Sequence, residues 1–461
     1  MASWKLHFGG LCPLLSLSLA GCATVDPGPD YEKAREEIHA TTGVESIYHP
    51  EGPALSAEEI QLMVSDGLGL DEAARLALLN NRRLQAGFMG LGVARAEYVQ
   101  AGLLSNPSLS LAFLFPEGGG RVKWTADLVG SVADLWQIPS RKAVAAAGLE
   151  QRILEVSRFA GELVAATRAA YFESVAAGAE RSVARESVEL ARRLLEAVRR
   201  QAEHGVATRT EENLAESLSL GAELSLRRAE REEVTAKRRL AALLSLEADV
   251  FEVELADPLP EPALLELERE SLVDRSLEVR PDVRAAGKAV AAAEGQADLE
   301  RRRIIPELSA GLSAERPEGG SSTDFLIGPT ATIEIPLFDQ NQAQVSRAEF
   351  HLAELRMEYA ALVAEVSQEV RAKADKAASA ARAATFVQED LLPQAEQSAA
   401  LAKKAYELGD TTVLALLEAQ RTVLEARRTL VDALLEAARS RIELERAVGA
   451  PLGAATGAKA P

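Results

Sequence analysis

Large aromatic side chains are scarce, at 4% of 461 residues, although 47% of the chain is hydrophobic. A compact enzyme of this length ordinarily fills its core with more of them, whereas Ala, Leu, Glu and Arg in quantity suit long helices packed through small side chains. Cysteine is nearly absent. The two present, Cys12 and Cys22, both lie within the first 22 residues, so the rest of the chain can hold neither a disulfide framework nor a thiolate metal site. Basic charge is also short, with 51 Lys and Arg against 70 Asp and Glu and a net charge of -19, which argues against nucleic acid as a partner. Beyond the N-terminus, no stretch supplies the roughly 18 consecutive apolar residues of a membrane-spanning helix. His39, His49, His204 and His351 lack metal-ligand spacing, and Gly118 to Gly120 form no phosphate-loop pattern. The sequence thus predicts no catalytic residues, no metal site and no cofactor, and an elongated chain with no linker composition in its middle.

The first 21 residues read as an export signal. Lys5 gives a short positive region, Phe8 to Leu19 an apolar run too short to cross a bilayer, and small residues follow. Leu19-Ala20-Gly21-Cys22 resembles the bacterial lipobox, in which cleavage leaves an acylated cysteine first in the mature chain, and this makes Cys22 the expected lipid anchor. An ordinary signal peptide cut near Ala20 would instead leave a free thiol, an unusual feature in a secreted protein. Ala23 follows where an aspartate would be the inner-membrane retention signal, and by resemblance to lipoprotein sorting this directs the protein to the outer membrane.

The chain also repeats itself at an offset of about 200 residues, matching Pro107 to Pro306, Pro139 to Pro336 and Gly205 to Gly409. Each half reads as helix, strand, turn, strand, long helix, glycine turn, helix. The expected strands are about Pro107 to Phe115 and Val122 to Ile138 around Glu117-Gly118-Gly119-Gly120, then Glu307 to Glu315 and Phe325 to Leu337 around Pro317-Glu318-Gly319-Gly320-Ser321. All alternate with period two. Leu109, Leu111 and Phe113 interleave with Ser108, Ser110 and Ala112, and Trp124, Ala126 and Leu128 with Thr125 and Asp127.

A half-buried soluble sheet would alternate in this way, and so would a membrane barrel with apolar residues toward lipid and polar residues toward a lumen. Each strand can supply the roughly 9–11 residues that a tilted barrel strand needs. Four strands cannot close a barrel, and open edges are not tolerated in hydrocarbon, so three copies would be required to supply twelve.

The helices flanking the strands are expected from Ser140 to about His204 and from Asp339 to Leu408, the latter interrupted by Pro393. At 1.5 Å per residue each reaches on the order of 100 Å. Both follow a proline that closes a strand, and Asp339 with Gln342 is spaced like a capping box. Apolar residues recur in steps of three and four in coiled-coil seams: Leu149, Ile153, Val156, Ala160, Leu163, Thr167 and Ala170; Val345, Ala348, Leu352, Leu355, Tyr359, Leu362 and Val366; and Val413, Leu417, Leu424, Val431 and Leu434. Charges such as Arg181, Arg185, Glu186, Glu189 and Arg192 are expected on solvated or interhelical faces.

The lipobox, the doubled strand-hairpin-strand unit and the long helices together resemble the TolC family of outer-membrane factors, in its lipidated branch, over nearly the whole chain. Gly28-Pro29-Asp30-Tyr31 after Cys22 looks like the N-terminus of lipidated drug- and metal-efflux members. Ile335-Pro336-Leu337-Phe338-Asp339-Gln340-Asn341-Gln342 looks like the strand-to-helix junction of the heavy-metal branch, and Tyr406 to Leu414 like the turn at the periplasmic tip. The resemblance implies a mainly α fold with a small membrane β component: a homotrimer whose twelve-stranded barrel continues into a twelve-helix periplasmic barrel. It divides the chain into a signal (1–21), a lipidated segment (22–66), a first repeat (67–250), an equatorial segment (251–271), a second repeat (272–448) and a tail (449–461).

The implied function is passive conduction of small toxic solutes or metal ions, with a periplasmic adaptor and an inner-membrane RND-type pump as partners. Gly205 and Gly409 would permit the turns where the adaptor docks, with C-capping alone as the alternative. Family gates carry acids just after the last glycine turn, and matching from Gly409 places Ala415 and Glu418 there. Glu418 is either a ring-forming gate acid or an exposed helical carboxylate, and Asp410 either belongs to the tip or caps the helix. A tunnel for type I protein secretion, or a lipid-anchored periplasmic coiled-coil scaffold, are the competing readings.

Overall fold

The computed structural model describes residues 24–53, 55–65, 67–205, 207–246, 254–263, 268–303, 308–317 and 325–452. Cys12, Cys22, the Ile305-Pro306-Glu307 segment, the Glu318-Gly319-Gly320-Ser321 turn and residues 453–461 lie outside them. Two short helices lead in, α1 (Gly28–Thr42) and α2 (Ala57–Ser65). Then one order occurs twice. First come α3 (Leu70–Asn80), α4 (Arg82–Ala101), β1 (Ser108–Leu114), β2 (Lys123–Ser131), α5 (Asp134–Glu203) and α6 (Arg209–Leu243). Next are α7 (Arg269–Val279), α8 (Pro281–Arg302), β3 (Leu308–Arg316), β4 (Leu326–Ile333), α9 (Gln342–Phe386) continued by α10 (Leu392–Glu407), and α11 (Val413–Val448).

By contact the chain forms two units. One comprises Met1–Asp30, Gly90–Arg152 and Lys288–Leu355, and the other Tyr31–Met89, Ile153–Gly287 and Arg356–Pro461. In the first, the strands form one antiparallel sheet in the order β1-β2-β3-β4, so the central pairing, β2 to β3, joins the two repeats. Its two strand-to-helix junctions are pinned by different chemistry. The Asp134 carboxylate accepts the Ser105 N–H at 2.6 Å and an Arg141 Nη2 donor at 2.8 Å. At the equivalent place, Asn341 takes a left-handed backbone (φ 61°) and donates from Nδ2 to both the carbonyl and the carboxylate of Glu300, each at 2.8 Å. Asparagine tolerates that backbone better than most residues.

Several expected boundaries shift. The second strand ends at Ser131, not Ile138, and α5 already contains Pro139. Proline so close to a helix start sacrifices one backbone donor in or near the turn where donors are in any case unpaired, so Trp136 and Ile138 are helical. The fourth strand likewise ends at Ile333, before Pro336. Asp339 and Gln342 form no capping box: the Asp339 carboxylate accepts the Asn341 N–H at 2.9 Å, and Gln342 Oε1 accepts that of Gln340 at 2.7 Å. Pro393 does not break its helix, because a π-helical turn at Val387–Leu391 precedes it and absorbs the lost hydrogen bond.

The second unit holds most of the packed interior. All seven predicted seam residues of α5 are buried. The α9 seam is looser, with Ala348 and Val366 buried and Tyr359 37% exposed. One cluster joins Leu272 and Val273 of α7 and Val283 of α8 to Val366 and Val370 of α9 and Leu444, Ala447 and Val448 of α11. Each repeat also clasps its last helix at the break between its first two. Asn80 Nδ2 donates to the Leu244 carbonyl at 2.8 Å and Asn81 Nδ2 to that of Leu243 at 2.9 Å. In the second repeat, Arg280 Nη1 donates to the Ala447 carbonyl at 2.8 Å. Residues 67–70 and 254–257, from the expected equatorial segment and its neighbour, meet through Leu68 and Leu255. The buried Tyr171 hydroxyl donates to the Leu68 carbonyl and accepts the Asp257 N–H, both at 2.8 Å.

Candidate conduit face and tip turns

The sheet register converts the sequence alternation into two chemically distinct faces. Leu109 sits opposite Leu128, Leu128 opposite Leu312, and Leu312 opposite Pro329. Two residues along, Leu111, Ala126, Ala314 and Ile327 form the next row of the same face. The other face carries Ser110, Asp127, Ser313 and Gly328 in one row and Ser108, Val129, Gly311 and Thr330 in another. Two of its charges pair within the sheet, with Lys123 Nζ 2.8 Å from the Glu315 carboxylate. The apolar face is uncovered in one chain: Leu109 is 63% exposed and Ile327 75%. A soluble monomer rarely leaves so large an apolar face open. Aromatic rings gather at the hairpin end, in Phe113, Phe115, Trp124 and Phe325, with Trp124 and Phe325 at 5.7 Å between centroids.

In the second unit, the two glycine turns share one construction. Gly205 (φ 68°) and Gly409 (φ 83°) both take the left-handed backbone that ends a helix. At the second turn, the Asp410 N–H donates to the Ala405 carbonyl at 2.8 Å and the Gly409 N–H to that of Tyr406 at 3.0 Å. Three residues after each glycine, a threonine starts the next helix. The Thr208 hydroxyl accepts the Glu211 N–H at 3.3 Å, and Glu211 reaches back to the Thr208 N–H at 2.6 Å, which holds the Glu211 carboxyl below its ordinary range. The Thr412 hydroxyl accepts the Ala415 N–H at 3.3 Å. Thr412 therefore caps α11, and Asp410, an exposed turn residue, does not. Sequence reasoning missed both threonines, although Gly-x-x-Thr stands in each turn. Ala207 and Val413 pack on one cluster with Leu194, Val198, Ala215 and Leu417, so the two turns lie at the same end of their unit.

Glu418 is exposed on α11 and lines a groove of about 710 Å³ between α5, α6 and α11. Its neighbour is Arg421, 4.0 Å away, which also bonds Glu425 at 3.1 Å. Arg421 therefore offsets the Glu418 charge in a single chain, a partner that matching acids alone did not reveal. Deeper along the groove, burial raises Glu180 above the usual carboxylate range, and the nearby Asp432 carboxylate raises it further against the pull of Arg428. Among the described residues, no group of His, Cys, Asp or Glu has metal-binding geometry, and no helix is long and apolar enough to cross a membrane.

Residues 272–450 match the family described as outer membrane efflux protein. The cobalt-zinc-cadmium resistance protein CzcC of Cupriavidus metallidurans is 24% identical over 83% of this chain and 90% of that protein. A membrane protein from Pseudomonas aeruginosa has the same fold, with a TM-score of 0.71 at 20% identity over 82% of this chain and 92% of its own. The CmeC outer membrane channel of Campylobacter jejuni gives 0.70 at 17% identity, covering 87% and 89%.

Proposed function

We propose that the chain is a TolC-type outer membrane efflux protein, one subunit of a homotrimeric outer-membrane tunnel anchored by lipid on Cys22, a reading supported by the family match over residues 272–450 and by the similarity to CzcC. The observation that carries the reading is the sheet itself. It has an uncovered apolar face, a hydroxyl-rich opposite face and two unpaired edges, β1 and β4. Hydrocarbon tolerates the apolar face but not the edges. Three copies pairing β4 to β1 give twelve strands, remove every edge and turn Ser110, Asp127 and Ser313 toward a wet lumen.

In this reading, transport through the subunit is passive, and energy enters at an inner-membrane RND-type pump through a periplasmic adaptor. The Gly205 and Gly409 turns are the adaptor docking points, since they lie at the same end of their unit and each is followed by a threonine-capped helix. Similarity to a cobalt-zinc-cadmium resistance protein favours metal cations or other small toxic solutes as cargo. Glu418 contributes to a cation-attracting constriction, with Arg421 as its counterweight.

The test is the mass of the purified lipoprotein in detergent, together with its conductance in planar bilayers. A trimer with stable, cation-preferring conductance that weakens in Glu418→Ala supports both the tunnel and the gate. Conductance indifferent to Glu418 discards the gate alone. A monomer or dimer that never conducts overturns the tunnel.

A further inference from the structure

We propose that Arg316 forms, on the lipid-facing surface of each subunit, a binding site for the phosphate of an outer-leaflet lipid headgroup. The inference rests on the barrel reading above. Arg316 is the last residue of β3 and lies directly opposite Trp124 of β2. Strand alternation places it on the apolar face with Leu312 and Ala314. On its other side stands Phe325, next to the Glu315–Leu326 pair, and the Trp124 and Phe325 rings approach to 5.7 Å. A cation thus occupies the aromatic band of a surface otherwise built for hydrocarbon.

Its own chain does not satisfy it. Arg316 Nη2 donates to the Val122 carbonyl at 2.8 Å, and Nε is buried without a partner. Among the described residues no carboxylate pairs with it, whereas Lys123, on the polar face, has Glu315 at 2.8 Å. An arginine on the lipid face costs about 2–4 kcal/mol at the bilayer midplane but roughly 0–1 near the interface, where aromatic bands sit. There its planar fork can meet a phosphate in bidentate geometry, a match that lysine cannot reproduce. The strands enter the helices at their other end, and those helices are too charged for lipid, so the hairpin end faces the outer leaflet. That leaflet's glycolipid carries phosphates at this depth. The site uses β2, β3 and β4 of one chain, so a trimer holds three, whatever the geometry of the subunit contacts.

The experiment uses the full lipidated trimer in detergent and counts bound lipid by native mass spectrometry. Bisphosphorylated lipid A, its dephosphorylated form and inorganic phosphate are compared for wild type, Arg316→Gln and Arg316→Lys. The proposal expects up to three bisphosphorylated lipids per trimer, binding about tenfold weaker in Arg316→Gln and an intermediate loss in Arg316→Lys. Equal binding by the Arg316→Gln trimer overturns it. So does equal binding of dephosphorylated lipid A, which would mean acyl chains resting on the rings, or displacement by equimolar inorganic phosphate, which would mark a free-anion site. If Arg316→Gln does not assemble, Arg316→Lys and the lipid series decide. A trimer that conducts but fails these criteria removes the lipid site and leaves the tunnel. A protein that neither trimerises nor conducts removes the tunnel first.

Discussion

Arg280 donates to the carbonyl of Ala447 at 2.8 Å, closing the end of the last helix onto the break between α7 and α8. The same guanidinium bonds Glu369 at 2.7 Å and Asp282 at 2.6 Å. Burial alone would raise the Asp282 carboxyl, but the bonds and charge of Arg280 outweigh it and hold it below its usual range. Removing one partner of a buried pair leaves the other uncompensated, so Arg280→Ala is expected to cost about 3 kcal/mol at neutral pH. A depressed carboxylate contributes stability that is present above its unfolded pKa of about 4 and lost as pH falls through the lower folded value. The deficit of the variant should therefore shrink below pH 4, as thermal melts followed by circular dichroism across pH would show.

Gly449 ends α11 with φ 80°, and a Cβ there would stand 2.8 Å from Arg280 Cγ. Gly449→Ala combines backbone strain with that clash and should destabilise the clasp by about 1–3 kcal/mol. Comparing its melting point with that of Gly118→Ala, whose Cβ would meet nothing within 4 Å, gives the measurement an internal control.

Tyr171→Phe deletes the hydroxyl that joins Leu68 to Asp257, which leaves the partly buried Asp257 N–H without that acceptor and the buried Leu68 carbonyl with only the Ala256 N–H, at 3.0 Å. The expected loss is about 1–3 kcal/mol. Burial, reinforced by Asp257, raises the Tyr171 pKa above its ordinary value. Its contribution is thus fully present below about pH 10 and disappears as pH rises through the higher folded value. Wild type should lose its advantage over Tyr171→Phe in that alkaline range, as chemical denaturation at graded pH would reveal.

At the tips, Thr208→Ala and Thr412→Ala each remove an N-cap and should cost about 1 kcal/mol, seen as faster amide exchange in the first turn of α6 or α11. Asp410→Asn should leave exchange there unchanged, because Asp410 caps nothing.

Much of this architecture is legible in the sequence because it depends on periodicity. Leu109 to Phe113 and Trp124 to Leu128 alternate and form strands, and every member of the Leu149 to Ala170 seam is buried. What escaped depends on contacts distant in the chain. Nothing adjacent to Asn341 indicates that Glu300 will hold it in a left-handed backbone, and Ile138-Pro139 resembles a strand end until Asp134, bound by Ser105 and Arg141, starts the helix five residues before that proline. The tip site is partly legible: both glycines are evident in the sequence, but the charge of Asp410 is the more conspicuous cap candidate, whereas the hydroxyl of Thr412 does the capping.

The central claim is that the two faces of the sheet meet different solvents, and labelling single cysteines along β2 tests it most directly. On this account Cys22, the one native thiol of the mature chain, is blocked by lipid. In native outer membranes, cysteines replacing Thr125 and Asp127 should react with a water-soluble thiol reagent, while those replacing Ala126 and Leu128 should resist it and contact a lipid-phase probe. Equal reaction at all four would show a sheet immersed in water, and would contradict the barrel.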